Sequence, residues 1–200
     1  MRILLLAGEG RSTRILFHRL EQLFGDVQVI VEGDVPRWTF LSRRVKSLGL
    51  MTVVWQVLFK LLIIPVLQYI THVRQREILM DGNMDDGHIP ESRILRVVSA
   101  NDKQTVEVVK VAHPDLIVIN GTRILSNRLL TSAKVPWINM HAGITPLYRG
   151  VHGGYWALVR HEPEVCGVTV HLVDPGIDTG GILKQGIIHP TSRDAFTTYP

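Results

Sequence analysis

Apolar positions along this chain follow two periods, and the switches between them divide it into elements. After Arg2, residues 3–7 are uniformly apolar and Gly8 follows at once, too short a run for a secretion signal, so a buried first strand is expected. Residues 8–13 are a glycine-rich loop leading into a helix over about 14–24. There Ile15, Leu16, Leu20, Leu23 and Phe24 recur at helical spacing and should pack on a sheet. A second strand is expected at 27–31. From about 33 to 79 the pattern changes. Arg43, Arg44 and Lys46 precede a long apolar helix whose polar residues, Thr52, Gln56 and Lys60, fall every fourth position and leave one narrow polar stripe. Pro65 is expected to kink or end that helix. Residues 81–91 read as a polar connection.

Strand–helix alternation then resumes. Strands are expected at 94–98, 116–119, 135–140, 165–173 and 182–188, and helices at 102–112, 126–133 (capped by Ser126) and 151–160. Such alternation implies an α/β fold, a Rossmann-like doubly wound and mostly parallel sheet, with residues 1–200 as one domain and an apolar helical insertion at about 33–79. Another helix is expected to start at 194–200, which suggests further chain beyond Pro200.

With 200 residues, 46% hydrophobic and 20% charged, the chain can bury a full core, which excludes a disordered tail or a disulfide-stapled miniprotein. Its single cysteine, Cys166, cannot form an intrachain disulfide, and a reducing, cytoplasmic setting is expected. The 22 basic and 18 acidic residues suit anionic small ligands as well as nucleic acid and select neither. His141, His152, His161 and His171 lack the tight spacings of a zinc site, so no metal is expected. Trp137, Tyr155 and Trp156 read as core or pocket wall.

Three segments carry candidate chemistry. Gly8, Gly10, Arg11, Ser12 and Thr13 join the first strand to the first helix, where backbone N–H groups and the helix dipole can face an anion. The alternative is a tight turn that needs glycine for its backbone alone. Asn139 and His141 stand two apart at the end of a strand and so share one face, an amide donor beside an imidazole, suited to a developing oxyanion and a proton shuttle or, on spacing alone equally, to hydrogen-bonding a loop. Asp174, Gly176, Ile177 and Asp178 belong to a glycine-rich connection that brings two carboxylates to the same sheet edge; taken alone, it reads first as a hairpin-like turn whose aspartates cap backbone groups.

Asn139-Met140-His141, Pro146 to Gly150, Gly167 to His171 and Gly176 to Gly180 together resemble the folate-dependent formyltransferases. The likeness runs strongly over about 114–188 and loosely over 2–31. It implies 10-formyltetrahydrofolate as co-substrate and a primary amine as acceptor. It also implies an oxyanion donor in Asn139, assisted by His141, with Asp178 orienting the histidine and helping to remove the amine proton. Arg123, Ile124, Leu125, Val173, Asp174, Gly176 and Ile177 match the segments that line the pterin pocket. The 8–13 loop matches the one that holds an acceptor's phosphate. The expected acceptor is small and phosphorylated, an amino sugar nucleotide or a ribonucleotide amine. Methionyl-tRNA formyl transfer, hydrolysis of the donor and a non-catalytic folate- or partner-binding scaffold are the alternatives.

The insertion has no counterpart in that motif set. Apolar around most of its circumference, the helix over 48–64 needs a second apolar surface: a second subunit, further chain, or a membrane surface. Lys60 and Pro65 make a transmembrane span costly and favour burial against protein.

Overall fold

The computed structural model describes residues 1–33 and 37–198, and the chain divides into two compact units: Met1–Gly33 with Met84–His189, and Asp34–Asn83 with Pro190–Pro200. The first unit holds β1 (Arg2–Gly8), α1 (Arg11–Phe24), β2 (Asp26–Glu32), β3 (Ile94–Val97), α5 (Lys103–Ala112), β4 (Leu116–Asn120), α6 (Asn127–Leu130), β5 (Trp137–His141), α7 (Gly153–Val159), β6 (Gly167–Leu172) and β7 (Ile182–Ile187). The second holds α2 (Arg37–Leu48), α3 (Leu50–Leu58) and α4 (Ile64–Asp81).

Strand order in the single sheet is β3-β2-β1-β4-β5-β6-β7. β3 through β5 run parallel, whereas β6 pairs antiparallel with both β5 and β7. The mostly parallel expectation therefore holds, with an antiparallel edge that period-two patterning could not reveal. Alternation along β1 splits the core. Ile3, Leu5 and Ala7 pack with Phe17 of α1 and with Val27 and Val29, while Leu4 and Leu6 pack with Val106 and Val109 of α5, Ile117 and Trp137. Burying each such side chain stabilises the fold by roughly 1.5–3 kcal/mol before entropy is counted. Order reverses between β1 and β4, so the carboxyl ends of β1, β4 and β5 form one rim where an α/β sheet binds ligands.

Several local expectations are corrected. Helix α1 begins at Arg11, not at about 14, and its covered side is Thr13, Leu16, Phe17 and Leu20; Leu23 and Phe24 are exposed. Ser126 caps α6 as expected, its Oγ accepting the Leu129 N–H at 3.4 Å, but the helix ends at Leu130. Trp137 is core, whereas Tyr155 and Trp156 are exposed. Residues 196–198 form a turn rather than the start of a helix, and residues 199–200 lie outside the described residues.

In the second unit, Gly49, at φ 83°, separates α2 from α3. The Arg44 Nε donates to Gln56 Oε1 at 3.1 Å. The helix does not end at Pro65. A five-residue π-helical turn, Phe59–Ile63, joins α3 to α4, in which the Ile64 N–H reaches back to Phe59 O. Pro65 then sits in the first turn of α4, where its missing N–H costs no helical hydrogen bond, and helix continues to Asp81. Residues 193–197 lie along this helix. Arg74 grips Asp194 at 2.8 Å, Arg193 grips Glu77 at 2.6 Å, and the Thr71 and Thr197 hydroxyls meet at 2.8 Å. Within Leu50–Asp81 the residues below about a tenth exposed are Val53 and Thr71.

Candidate active site at the β5–β6 end of the sheet

Asn139 and His141 project from one face of β5, as their spacing requires. Antiparallel pairing sets His171 directly opposite Asn139 and Thr169 opposite His141. On β6 the better covered face is the polar one: Thr169 and His171 are buried, while Val168 and Val170 are only half-buried and Leu172 is exposed. Thr169 justifies its burial by bracing the following loop. Its hydroxyl donates to Gly143 O at 2.7 Å and accepts the Thr145 N–H at 3.1 Å. Gly143 is required there, because a Cβ would stand 2.5 Å from Tyr148 O and 2.6 Å from His141 Nε2.

Asp178 closes the constellation from the 173–181 loop. Its backbone is left-handed (φ 50°) and its side chain is 13% exposed. Asp174 Oδ1 ties that loop to itself, accepting from the Gly176 N–H at 3.0 Å and the Thr179 hydroxyl at 2.7 Å. Asp178 Oδ2 accepts the Gly150 N–H at 2.9 Å and lies 3.4 Å from His141 Nδ1. Its Oδ1 accepts from Asn139 Nδ2 at 3.3 Å and lies 3.4 Å from His171 Nε2.

Elementary donor counting fixes much of the protonation pattern. His141 Nε2 is 2.7 Å from Tyr148 O, and a carbonyl only accepts, so the proton is on Nε2 and Nδ1 is left to exchange a proton with Asp178. His171 Nδ1 faces Leu172 O at 2.8 Å and must likewise donate. In a neutral ring its Nε2 then accepts, and Asn139 Nδ2 stands 3.1 Å away to supply the hydrogen. Both amide hydrogens of Asn139 are thus held, one by His171 and one by Asp178. The result is an amide, two imidazoles and a carboxylate in mutual reach, able to donate to a new negative charge and to accept a proton. Tyr148 also anchors the loop through its hydroxyl, which donates to Glu162 and is held above the usual phenol range by that carboxylate. Burial pushes the Cys166 thiol up, which makes it a poor nucleophile.

The other expected segments fare differently. Arg123 meets Glu32 at the end of β2, Nε to Oε1 at 2.6 Å, and its guanidinium also donates to Gly33 O at 3.0 Å. Glu32 also accepts the Ala100 N–H at 2.6 Å and the Arg123 N–H at 3.1 Å, so this buried carboxylate ties two loops to the sheet, a structural use the sequence did not signal. Leu125 and Val173 pack on one core cluster, while Ile124 and Ile177 remain more than half exposed. At the first loop, Thr13 Oγ1 donates to Gly8 O at 2.6 Å, and the Asn120 amide reaches both Ser12 Oγ and Thr13 Oγ1 at 3.1 Å. A Cβ on Gly8 would meet Gly121 O at 2.6 Å, and Arg11 pairs with Asp86 at 3.0 Å. Much of this loop therefore serves the β1–α1 turn. His171, the Gly150 N–H and the Tyr148 carbonyl were not anticipated as site groups. Only His171 left a trace, as the polar partner of Thr169 in a period-two strand.

Residues 71–199 match the formyl transferase family model. The chain is 36% identical over 106 residues to the methionyl-tRNA formyltransferase of Desulfotalea psychrophila, 52% of this chain and 32% of that protein. It is 34% identical over 119 residues to the methionyl-tRNA formyltransferase of Clostridium perfringens, 59% of this chain and 36% of that one. The matches thus span about a third of the length of these relatives. Among solved structures, phosphoribosylglycinamide formyltransferase from Streptococcus pneumoniae superposes with a TM-score of 0.59 at 18% identity, covering 98% of this chain and 86% of that one. A likely sugar N-formyltransferase from Mycobacterium tuberculosis gives 0.54 at 18% identity, over 96% and 56% of the two chains. At those identities the structural likeness speaks for the fold.

Proposed function

The chain belongs to the formyl transferase family, and from that premise we propose that it moves a formyl group from 10-formyltetrahydrofolate to a primary amine. The observation that carries this reading is the convergence of Asn139, His141 and Asp178 through side chains 2.9–3.4 Å from their partners. Acyl transfer needs a donor for the oxyanion, a proton acceptor and a shielded carbonyl. When the amine nitrogen bonds to the formyl carbon, the carbonyl electrons move to oxygen, and the Asn139 amide can follow by releasing one of its two present acceptors. The amine proton passes to the His141–Asp178 pair. Collapse then breaks the bond to the folate nitrogen, which takes that proton. Exposed Ile124 and Ile177, beside the loops that Leu125 and Val173 hold on one core cluster, offer an apolar wall to a flat ring. Arg123 instead serves Glu32 and is proposed as a brace for that wall.

For the acceptor, a small phosphorylated amine is supported by the amino terminus of α1 at the sheet's switch point, where first-turn N–H groups have no intrahelical acceptor. The methionyl-tRNA formyltransferases among the relatives support a tRNA-borne amine as the second reading. Donor consumption measured with and without candidate amines tests the proposal. Amine-dependent release is expected; release without amine would mark a hydrolase, and binding without turnover a scaffold. If α1 holds a phosphate, Arg11→Ala raises the acceptor KM severalfold and inorganic phosphate competes with acceptor alone. A KM unmoved by either would leave the loop as a turn.

A further inference from the structure

The helix Leu50–Asp81 runs for 32 residues, about 48 Å at 1.5 Å per residue, and only 6% of its most apolar eighteen-residue window is buried. Its covered line is Val53, Thr71 and the half-buried positions between them. Met51, Trp55, Leu62, Val66, Tyr69 and Val73 recur three to four residues apart or at multiples of that spacing, each more than half exposed. So long an uncharged apolar face is not left to water in a stable protein. The surrounding charge identifies its occupant. Between Asp34 and Glu77 the sequence carries seven basic residues and no acidic one: Arg37, Arg43, Arg44, Lys46, Lys60, Arg74 and Arg76.

That charge opposes a second copy of the chain. A two-fold dimer sets the same patch against itself, so Arg43, Arg44 and Lys46 would meet their own copies, while the nearby carboxylates Glu77 and Asp194 are already held by Arg74 and Arg193. An anionic lipid surface supplies what both features lack, acyl chains for the apolar face and phosphates for the cations. Connectivity then decides between crossing and lying flat. The insertion leaves from β2 and returns to β3, which are adjacent parallel strands in register from Val29↔Ile94 to Glu32↔Val97. A helix crossing the bilayer alone would leave the two ends of one sheet on opposite sides. Its return would also carry Asp85 and Asp86 through hydrocarbon, or α2 with Arg43, Arg44 and Lys46. The geometry therefore excludes a single span. We propose that the Met51–Val73 face docks in the headgroup layer of an anionic bilayer, parallel to its plane, with the cations of α2 on lipid phosphates. Trp55 and Tyr69 lie on that face, residue types suited to the interface.

The test is co-sedimentation of the full chain with vesicles of phosphatidylcholine alone or enriched in phosphatidylserine, with tryptophan quenching by brominated acyl chains as a second readout. The expected result is at least tenfold tighter binding to the anionic vesicles, largely lost at high salt. Arg43→Gln with Lys46→Gln should weaken it tenfold or more, at about fivefold per cation. Bromolipid quenching that falls in Trp55→Phe would support the face assigned here, and it requires no charge variant to fold. Equal binding to both vesicle types, no quenching, or a stable soluble dimer that ignores vesicles would overturn the proposal.

Discussion

The β5–β6 end of the sheet and the Leu50–Asp81 helix contrast in what their side chains meet. Around Asp178 nearly every polar atom is engaged, with both carboxylate oxygens, both Asn139 amide hydrogens and the outward nitrogens of two imidazoles paired. The residues that meet there lie up to 39 positions apart in sequence. Along the helix the unmet demand is apolar and local, read from consecutive residues of one element. Polar groups brought together by strand register mark chemistry. Apolar groups that no register covers mark a surface.

The contrast between covered and uncovered apolar groups should show most strongly in stability. Phe17 is fully buried between α1 and the sheet, so Phe17→Ala should lower unfolding free energy by about 3–5 kcal/mol. Leu62→Ala on the uncovered helix face should cost under about 0.5 kcal/mol. Denaturant melts of both variants decide it, and a comparable loss at Leu62 would mean that the helix is already covered in solution.

A smaller effect is expected at His171, a positioning residue whose Nε2 accepts an Asn139 amide hydrogen. His171→Ala should lower kcat about tenfold with acceptor KM unchanged, since the amide loses its orientation rather than its substrate contacts. A change confined to KM, or none, would detach His171 from the site.

The smallest concerns the second unit. The Arg74 guanidinium, hydrogen-bonded to Asp194, lowers that carboxyl from 3.8 to about 2. A depressed carboxyl stabilises the fold fully above its unfolded value and loses that contribution as pH falls from about 4 towards about 2. Asp194→Asn should therefore cost on the order of 1 kcal/mol near neutrality and flatten the acid dependence in that window. Thermal melts across pH check both, and an unchanged acid limb would show that the tie to residues 193–197 adds nothing.

The sequence displayed strands better than their partners. The apolar run from Ile3 to Ala7 marked β1 because unbroken burial on both faces leaves no polar position. The shared face of Asn139 and His141 was legible because it depends only on a two-residue period. The antiparallel turn of β6 was hidden, since that period is the same in either direction, and His171 was hidden with it. The early start of α1 was missed because the residues expected in the loop, Arg11 to Thr13, form its first turn. Pro65 misled because a π-helical turn before it absorbs the missing hydrogen bond. Arg123 looked like a ligand group because its partner, Glu32, lies 91 residues away.

The central claim is that Asn139, His141 and Asp178 act on the reacting carbonyl rather than on the fold. Its most direct test is single-turnover formyl transfer by Asn139→Ala, His141→Ala and Asp178→Asn, each beside a titration of the folate donor. The predicted result is a loss of about 10²–10³ in rate for Asn139→Ala and roughly two decades or more for the others, with donor affinity preserved. Variants that turn over like the parent, or that lose donor binding and rate together, would contradict it.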